Sequence, residues 1–236
     1  LKGAAYTTLQ KEKYGIPVDP IYHAEDAAHI SSVTNTPNKT QNIMSVDVND
    51  LGTQLELWTK RGIQAFNLKG EINNSVIQQL SIAGVRVILT DGYTGSVHSD
   101  ISIYNNANAI SSSENDPVNR LKEIVAALEQ SERKDGSYVR YTIGIDYFHE
   151  LAFLKALRIT LDNMPGELLP IFVELSNAFT NEEYSDLIRN TVSSAAAIIG
   201  GADGIILPEQ SGPSAEKNKN LAKNLLTVLA EESKLD

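Results

Sequence analysis

The sequence predicts an α/β protein: a (β/α) barrel of the TIM type, reduced or irregular, that follows an N-terminal arm. Its 236 residues, 42% of them hydrophobic, suffice for one well-buried core. From residue 43 onward, short apolar runs rich in β-branched residues alternate with segments whose apolar residues have helical spacing. Alternating strands and helices form a mostly parallel sheet, either open and doubly wound or closed, and seven candidate strands favour the closed barrel.

Residues 1–40 are the predicted arm, and residues 41–236 are the predicted barrel domain. The arm has little periodicity and is interrupted by Pro17, Pro20 and Pro37. We therefore expect it to lie outside the barrel core.

The elements of the barrel follow in order along the chain. We predict strands at 43–48, 63–68, 85–90, 101–104, 139–145, 170–175 and 204–208. We predict helices at 50–61, 73–83, 117–132, 147–163, 181–199 and 214–232. Residues 92–113 contain a short strand but no helical pattern, so one βα unit is expected to be shortened or lost.

Local chemistry marks several helix ends. Asn181 precedes two glutamates, which suits a helix N-terminus with its unpaired N–H groups and partial positive charge. Asp116 followed by Pro117 is a similar start, with proline at the first helical position. Gly200 and Gly201 lie where a left-handed residue would end a helix.

Composition excludes several functions. Thirty acidic and twenty basic residues give a net charge of -10, which opposes binding to nucleic acid or to an anionic membrane surface. The absence of cysteine excludes disulfides, thiolate-bound metals and a cysteine nucleophile, and it is compatible with the cytoplasmic location that we expect. No run approaches the roughly 18 apolar residues that a membrane helix needs.

Five acids lie at or near predicted carboxyl ends of strands, where barrel enzymes carry their chemistry: Asp47, Asp91, Asp146, Glu174 and Glu209. Carboxylates in such an array could bind Mg²⁺. The alternative, which we favour, is that they are turn and capping residues on a polar rim. Asp146, for example, is well placed to cap the helix 147–163.

His149 follows Asp146 by three residues and could act as a general acid or base tuned by that carboxylate. With Glu174, these residues are the catalytic candidates of one hypothesis, an independent metal-assisted barrel enzyme that acts on a small molecule. Because the sequence offers His149 no nucleophile or second histidine, a structural role in the first helical turn is favoured. No metal-ligand or cofactor-binding motif is found.

The helix predicted at 147–163 is apolar nearly all round, so it is either buried in the core or part of a subunit interface. The run TIGIDYFHELAFLKALR at 142–158 resembles the phenylalanine-glutamate-isoleucine-alanine helix of methylmalonyl-CoA mutases. The matching residues are Phe148, Glu150, Ala152, Ala156 and Arg158.

Other segments are similar to the same family in order and spacing. Residues 184–189 and the double glycine after Ile199 follow its tyrosine-to-arginine helix, and residues 220–224 and 231–233 its next helix. The segments 1–3, 20–22 and 25–26 resemble its arm, and 68–70 the second strand of its small subunit. The resemblance covers nearly the whole chain.

This resemblance implies a (β/α) barrel through which the pantetheine arm of coenzyme A threads, and an adenosylcobalamin-dependent isomerisation of methylmalonyl-CoA and succinyl-CoA. Active members carry a separate cobalamin domain with an Asp-x-His-x-x-Gly signature, which this sequence lacks. The family's polar histidine-glutamine-threonine-serine strand end is here 172–178, FVELSNA.

These departures predict the non-catalytic small subunit of such a mutase. We expect a heterodimer with a catalytic large subunit that holds the adenosylcobalamin, with no catalytic, cofactor-binding or metal-binding residue in this chain. The barrel interior is expected to be filled by side chains such as Phe66, Tyr141 and Phe172.

Overall fold

The computed structural model describes residues 11–13, 15–18, 40–93, 100–130, 135–175, 183–207 and 215–229. Within the arm, β1 (Lys11–Lys13) and β2 (Ile16–Val18) form an antiparallel hairpin. The turn between them includes Gly15 at φ 74°, a backbone conformation that glycine adopts without strain.

Eight parallel strands form a nearly closed α/β barrel of the TIM type, so the predicted fold class is confirmed. The strands are β3 (Gln41–Asp47), β4 (Ala65–Lys69), β5 (Val87–Thr90), β6 (Ser102–Asn105), β7 (Ala109–Ile110), β8 (Tyr138–Ile143), β9 (Ile171–Leu175) and β10 (Gly204–Ile206). Their order is β6-β5-β4-β3-β10-β9-β8-β7. The sheet curls so that β10, the last strand in the chain, pairs with β3. The two edge strands of the sheet are β6 and β7, and we call the gap between them the seam.

Within the described residues, six helices alternate with these strands: α1 (Leu51–Lys60), α2 (Asn74–Ile82), α3 (Pro117–Gln130), α4 (Tyr147–Asn163), α5 (Glu183–Gly200) and α6 (Ala215–Thr227). The bounds of α4 agree with the prediction, and Asp146 caps it as expected. The predicted cap Asn181 lies outside the described residues. No described helix has the length and apolar character needed to cross a membrane.

The shortened unit at 92–113 contains two strands, of which the sequence predicted one. Between β6 and β7 the chain makes only the 3-10 turn Asn106–Asn108, capped by the Asn105 side chain. The two-residue strand β7 was missed because it is too short to show periodicity. At the seam, the Asn105 N–H donates to the carbonyl of Gly136. A side chain at position 136 would place its Cβ 2.8 Å from the Ile103 carbonyl oxygen, so this close approach requires glycine.

The core has two layers, because successive side chains of a strand point to opposite faces. The outer layer lies between the sheet and the helices. The inner layer fills the barrel with Ile43, Ala65, Val87, Leu89, Tyr138, Phe172 and Ile206, against which Tyr104 and Ala109 pack.

The predicted filling of the barrel was right for Phe172 and wrong for Phe66 and Tyr141, which belong to the outer layer. The reason is strand parity: Phe66 follows the inward Ala65, and Tyr141 lies three residues after the inward Tyr138. Inside the barrel, Phe172 packs edge-on against Tyr104 at 5.0 Å between ring centroids and lies 5.2 Å from Tyr138. These rings occupy the barrel axis.

Candidate functional site at the barrel mouth

Polar residues lie above the aromatic layer, towards the carboxyl ends of the strands. Arg140 is in register with the inward-facing Phe172, and Ser45 with Asn67. Neighbouring residues in register point to the same face of a sheet, so these side chains line the barrel mouth. This is the end at which barrel enzymes place their active sites.

Arg140 of β8 and Glu174 of β9 form an ion pair across the mouth. The Arg140 Nε and terminal nitrogen donate to Glu174 Oε2 at 3.1 and 2.9 Å, and the side chains are 28% and 25% exposed. Burial opposes the charged form of Arg140, but the Glu174 carboxylate outweighs that effect and raises the pKa of Arg140. The two charges at the mouth therefore neutralise each other.

A chain of hydrogen bonds extends around the mouth from Tyr138, which lies on the same strand as Arg140. Tyr138 OH donates to Asn106 Oδ1 at 2.5 Å, and Asn106 Nδ2 donates to Asp91 Oδ1 at 2.8 Å and to Asn67 Oδ1 at 3.3 Å. Asn67 Nδ2 in turn donates to the Ser45 hydroxyl at 3.4 Å. The 3-10 turn at the seam thus bridges β4 and β8.

The chemistry open to this arrangement is limited. Burial raises the pKa of Tyr138, so its phenol stays protonated and acts as a hydrogen-bond donor rather than a base. The polar groups named above are engaged with one another, not poised as a nucleophile beside a general base.

The four predicted acids that the structure describes do not form a metal site. Asp47 accepts a hydrogen bond from the Asn49 N–H at 2.8 Å, and Asp146 accepts one from the His149 N–H at 3.3 Å. Glu209 lies outside the described residues. Across the part of the chain that the structure describes, no group of three or more histidines, aspartates or glutamates could hold a metal ion.

The three catalytic candidates are likewise not brought together as a metal-binding group. His149 lies in the first turn of α4, and it meets Asp146 through a backbone capping hydrogen bond. Glu174 is bound to Arg140 instead.

Sequence reasoning missed Tyr138, Arg140 and Asn106. A signal for the first two was present: they alternate with the apolar Val139 and Tyr141, which indicates that one face of β8 is polar towards its carboxyl end. Asn106 could not be found in this way, because it lies in the turn between two strands that the sequence showed as one.

Two of the residues that carry the mutase resemblance are buried in structural contacts. Glu150 of α4 is 6% exposed and accepts a hydrogen bond from Tyr141 OH, which itself accepts one from Arg120 at 2.7 Å. Burial, followed by the Glu150 contact, raises the pKa of Tyr141 well above its usual value. A Cβ at Gly144 would lie 2.6 Å from Glu150 Oε1, so glycine leaves room for the carboxylate.

Arg158 lies about two turns after Glu150 on α4, towards the end of the barrel opposite to the mouth. Its terminal nitrogen donates to the Gly201 carbonyl and to Asp203 Oδ2, each at 2.5 Å. The same Asp203 oxygen accepts the Ile171 N–H at 2.7 Å. Gly201 has φ 89°, and Gly200 packs so closely on Leu154 that a Cβ would approach it to 2.7 Å.

Comparisons with known proteins leave the family open. No protein-family model matches the chain, and no curated protein matches it. A solved structure described as native KDPGal is similar at a TM-score of 0.42 and 13% identity, over 83% of this chain and 97% of that chain. The 3-dehydroquinate dehydratase from Aquifex aeolicus VF5 is similar at 0.32 and 10%, over 78% and 98%. These similarities carry no functional argument.

Proposed function

We propose that the chain is a small-subunit-like component of an adenosylcobalamin-dependent methylmalonyl-CoA mutase. In this proposal it is itself non-catalytic and pairs with a catalytic large subunit as a cytoplasmic heterodimer. The basis is the resemblance of the segments from the arm to α6, and in particular of α4 and the double glycine at 200–201.

The filled barrel axis is the observation that carries the proposal. The family it resembles threads the pantetheine arm of coenzyme A through the barrel. Here Tyr104, Tyr138 and Phe172 occupy that axis, with ring centroids 5.0 to 6.0 Å apart. Admitting a chain-like substrate would require these rings to leave a packed core, which is costly.

The pairing of the described polar side chains at the mouth supports the same proposal. Arg140 and Glu174 are bound to each other, and Tyr138 to Asn106. Among the described residues, these four side chains bind each other and are not available to hold a corrin or a reacting acyl group. These residues do not suit adenosylcobalamin, which the proposal assigns to the partner subunit, where it supplies the radical chemistry.

The matched residues of α4 support a structural inheritance from the family. Glu150 and Arg158 contact Tyr141 and Asp203 inside this chain rather than lining the barrel. Their roles would therefore survive the loss of catalysis, because they hold α4 against β8 and the α5–β10 turn.

Three large apolar side chains are exposed at the end of the barrel that carries its mouth. Ile145 is 68% exposed, Phe148 78% and Ile188 65%. The Ser193 hydroxyl donates to the Gly144 carbonyl, which brings α5 against the segment that leads into α4. Large exposed apolar side chains are often found on protein-binding surfaces, and we assign these three to contacts with the large subunit.

Light scattering on an equimolar mixture of the chain with a cobalamin-binding large subunit tests the proposal. We expect a 1:1 complex, and at least tenfold weaker association when Phe148→Ser and Ile188→Ser are combined. Ile82→Ser, which removes another exposed apolar side chain from α2, is the matched control and should leave association unchanged. Absence of a complex with the folded wild-type chain would overturn the proposal.

A further inference from the structure

The end of the barrel opposite to the mouth carries a pocket of about 410 Å³. Residues at the starts of β3 and β4, the α1–β4 turn, Arg86 and the face of α6 line it. Its volume lies in the range of small-molecule sites, about 300 to 1,000 Å³. This pocket is separate from the residues of the mouth.

The charge of the pocket is opposite to that of the protein. Its described lining contains three basic residues, Arg61, Arg86 and Lys223, and no acidic one. The remaining polar groups there are mostly amides and hydroxyls, such as those of Asn42 and Thr227. In a chain of net charge -10, three cations with no carboxylate among the described lining residues create a locally positive surface.

Backbone geometry holds the lining residues next to one another. Gly62 has φ 84° and turns the chain from α1 into β4, while the Arg86 N–H donates to the Gln64 carbonyl at 2.8 Å. On α6, Lys223 and Thr227 are four residues apart, so they lie on the same helical face. The Thr227 hydroxyl donates to the Lys223 carbonyl at 3.0 Å.

Arg61 is fixed before any ligand arrives. Its guanidinium lies 4.9 Å from the centroid of the buried Trp58 ring, and one terminal nitrogen donates to Asn220 Oδ1. Asn220 lies three residues before Lys223, on the α6 face that borders the pocket. A side chain already held in place loses less entropy when a ligand binds.

We propose that this pocket binds a small organic phosphate. Guanidinium groups match the oxygens of phosphate in a fork geometry, and a lysine ammonium adds a compact charge. The volume exceeds that of inorganic phosphate and leaves room for an organic portion. Because chemistry in α/β barrels is carried at the other end, the pocket serves binding or regulation rather than catalysis.

Calorimetric titration of the full chain with inorganic pyrophosphate tests this site. We expect one binding site per chain, weakened at least tenfold by Arg86→Glu and by Lys223→Glu. Lys122→Glu is the control, because it makes the same change of charge on an exposed residue of α3. This helix follows β7, which lies four strands from β3 in the sheet, so the control should alter affinity less than twofold. The neutral variants Arg86→Gln and Lys223→Gln repeat the test with less perturbation of the fold.

Three results would overturn the proposal. One is the absence of pyrophosphate binding by the folded wild-type chain at millimolar concentration. Another is equal weakening by Lys122→Glu and Arg86→Glu, which would mean attraction by overall charge. The third is citrate binding as tightly as pyrophosphate, which would mean a site for anions in general.

Discussion

The Arg158 guanidinium lies 2.5 Å from the Asp203 carboxylate. The Arg158 side chain is buried, at 1% exposure, whereas the Asp203 side chain is 27% exposed to solvent. Through this contact a single side chain of α4 fixes both the turn after α5 and the beginning of β9. The barrel is thus tied together at the end opposite to its mouth by a residue that also carries the family resemblance.

Replacing Arg158 by methionine should destabilise the protein by about 2 to 4 kcal/mol, because Asp203 and the Gly201 carbonyl lose their partner. The value is below that for a fully buried pair because water reaches Asp203. Chemical unfolding measures the change. Lys155→Met, on the same helix but outside this contact, should cost less than about 0.5 kcal/mol. Equal costs for the two variants would contradict a specific role for Arg158.

Tyr141→Phe should destabilise the protein by about 1 to 3 kcal/mol, because it leaves the buried Glu150 carboxylate without its phenol donor. Tyr93→Phe is the matched control. Its hydroxyl donates to Asn74 in an exposed contact, where water can replace the lost bond. Urea unfolding of both variants checks the difference, and a smaller cost for Tyr141→Phe than for Tyr93→Phe would refute the importance of the contact.

Stability should fall as the pH rises above about 10. Burial raises the pKa of Tyr104, Tyr138 and Tyr141 in the folded protein, whereas in the unfolded chain they ionise near their ordinary value of 10.0. Above that pH the unfolded state holds fewer protons than the folded state, so deprotonation favours unfolding. This part of the stability is fully present below pH 10 and is lost above it.

Urea unfolding at pH 9 and pH 11 measures that loss. The loss in free energy of unfolding between pH 9 and pH 11 should be smaller for Tyr138→Phe than for the wild type, because one phenol with a raised pKa has been removed. A wild-type stability that is flat over this interval would contradict the burial of the three phenols.

Phe172→Ala should cost about 3 to 5 kcal/mol, because it opens a cavity between the Tyr104 and Tyr138 rings inside the barrel. Phe148→Ala makes the same substitution at a site that is 78% exposed and should leave the free energy of unfolding nearly unchanged. If the two variants were equally stable, the barrel axis would not be the packed core described above.

Most of the fold follows from patterns that the sequence displays directly. The predicted bounds of α4 agree with the structure over all 17 residues, and the Asp146 cap fixes its start. In contrast, β7 has two residues and its pairing with β8 depends on closure of the barrel, which no local pattern records. The inward orientation of Tyr138 and the outward orientation of Phe66 depend on strand parity, which a shift of one residue inverts.

The candidate site was harder to predict than the fold. Glu174 was identified as an acid at a strand end, but its partner Arg140 comes from the neighbouring strand and is 34 residues away in the chain. Asp146 and His149 were predicted as a pair, and the contact between them is a backbone cap. Side-chain partners from different strands are set by the register of the sheet, which only the closed barrel defines.

Mutase turnover tests the central claim most directly. The isolated chain, a large subunit prepared without it and the equimolar mixture would be assayed for interconversion of methylmalonyl-CoA and succinyl-CoA with adenosylcobalamin. We expect no turnover by the chain alone and at least tenfold more by the mixture than by the large subunit alone. Full activity of the large subunit without this chain, or turnover by the chain alone, would contradict it.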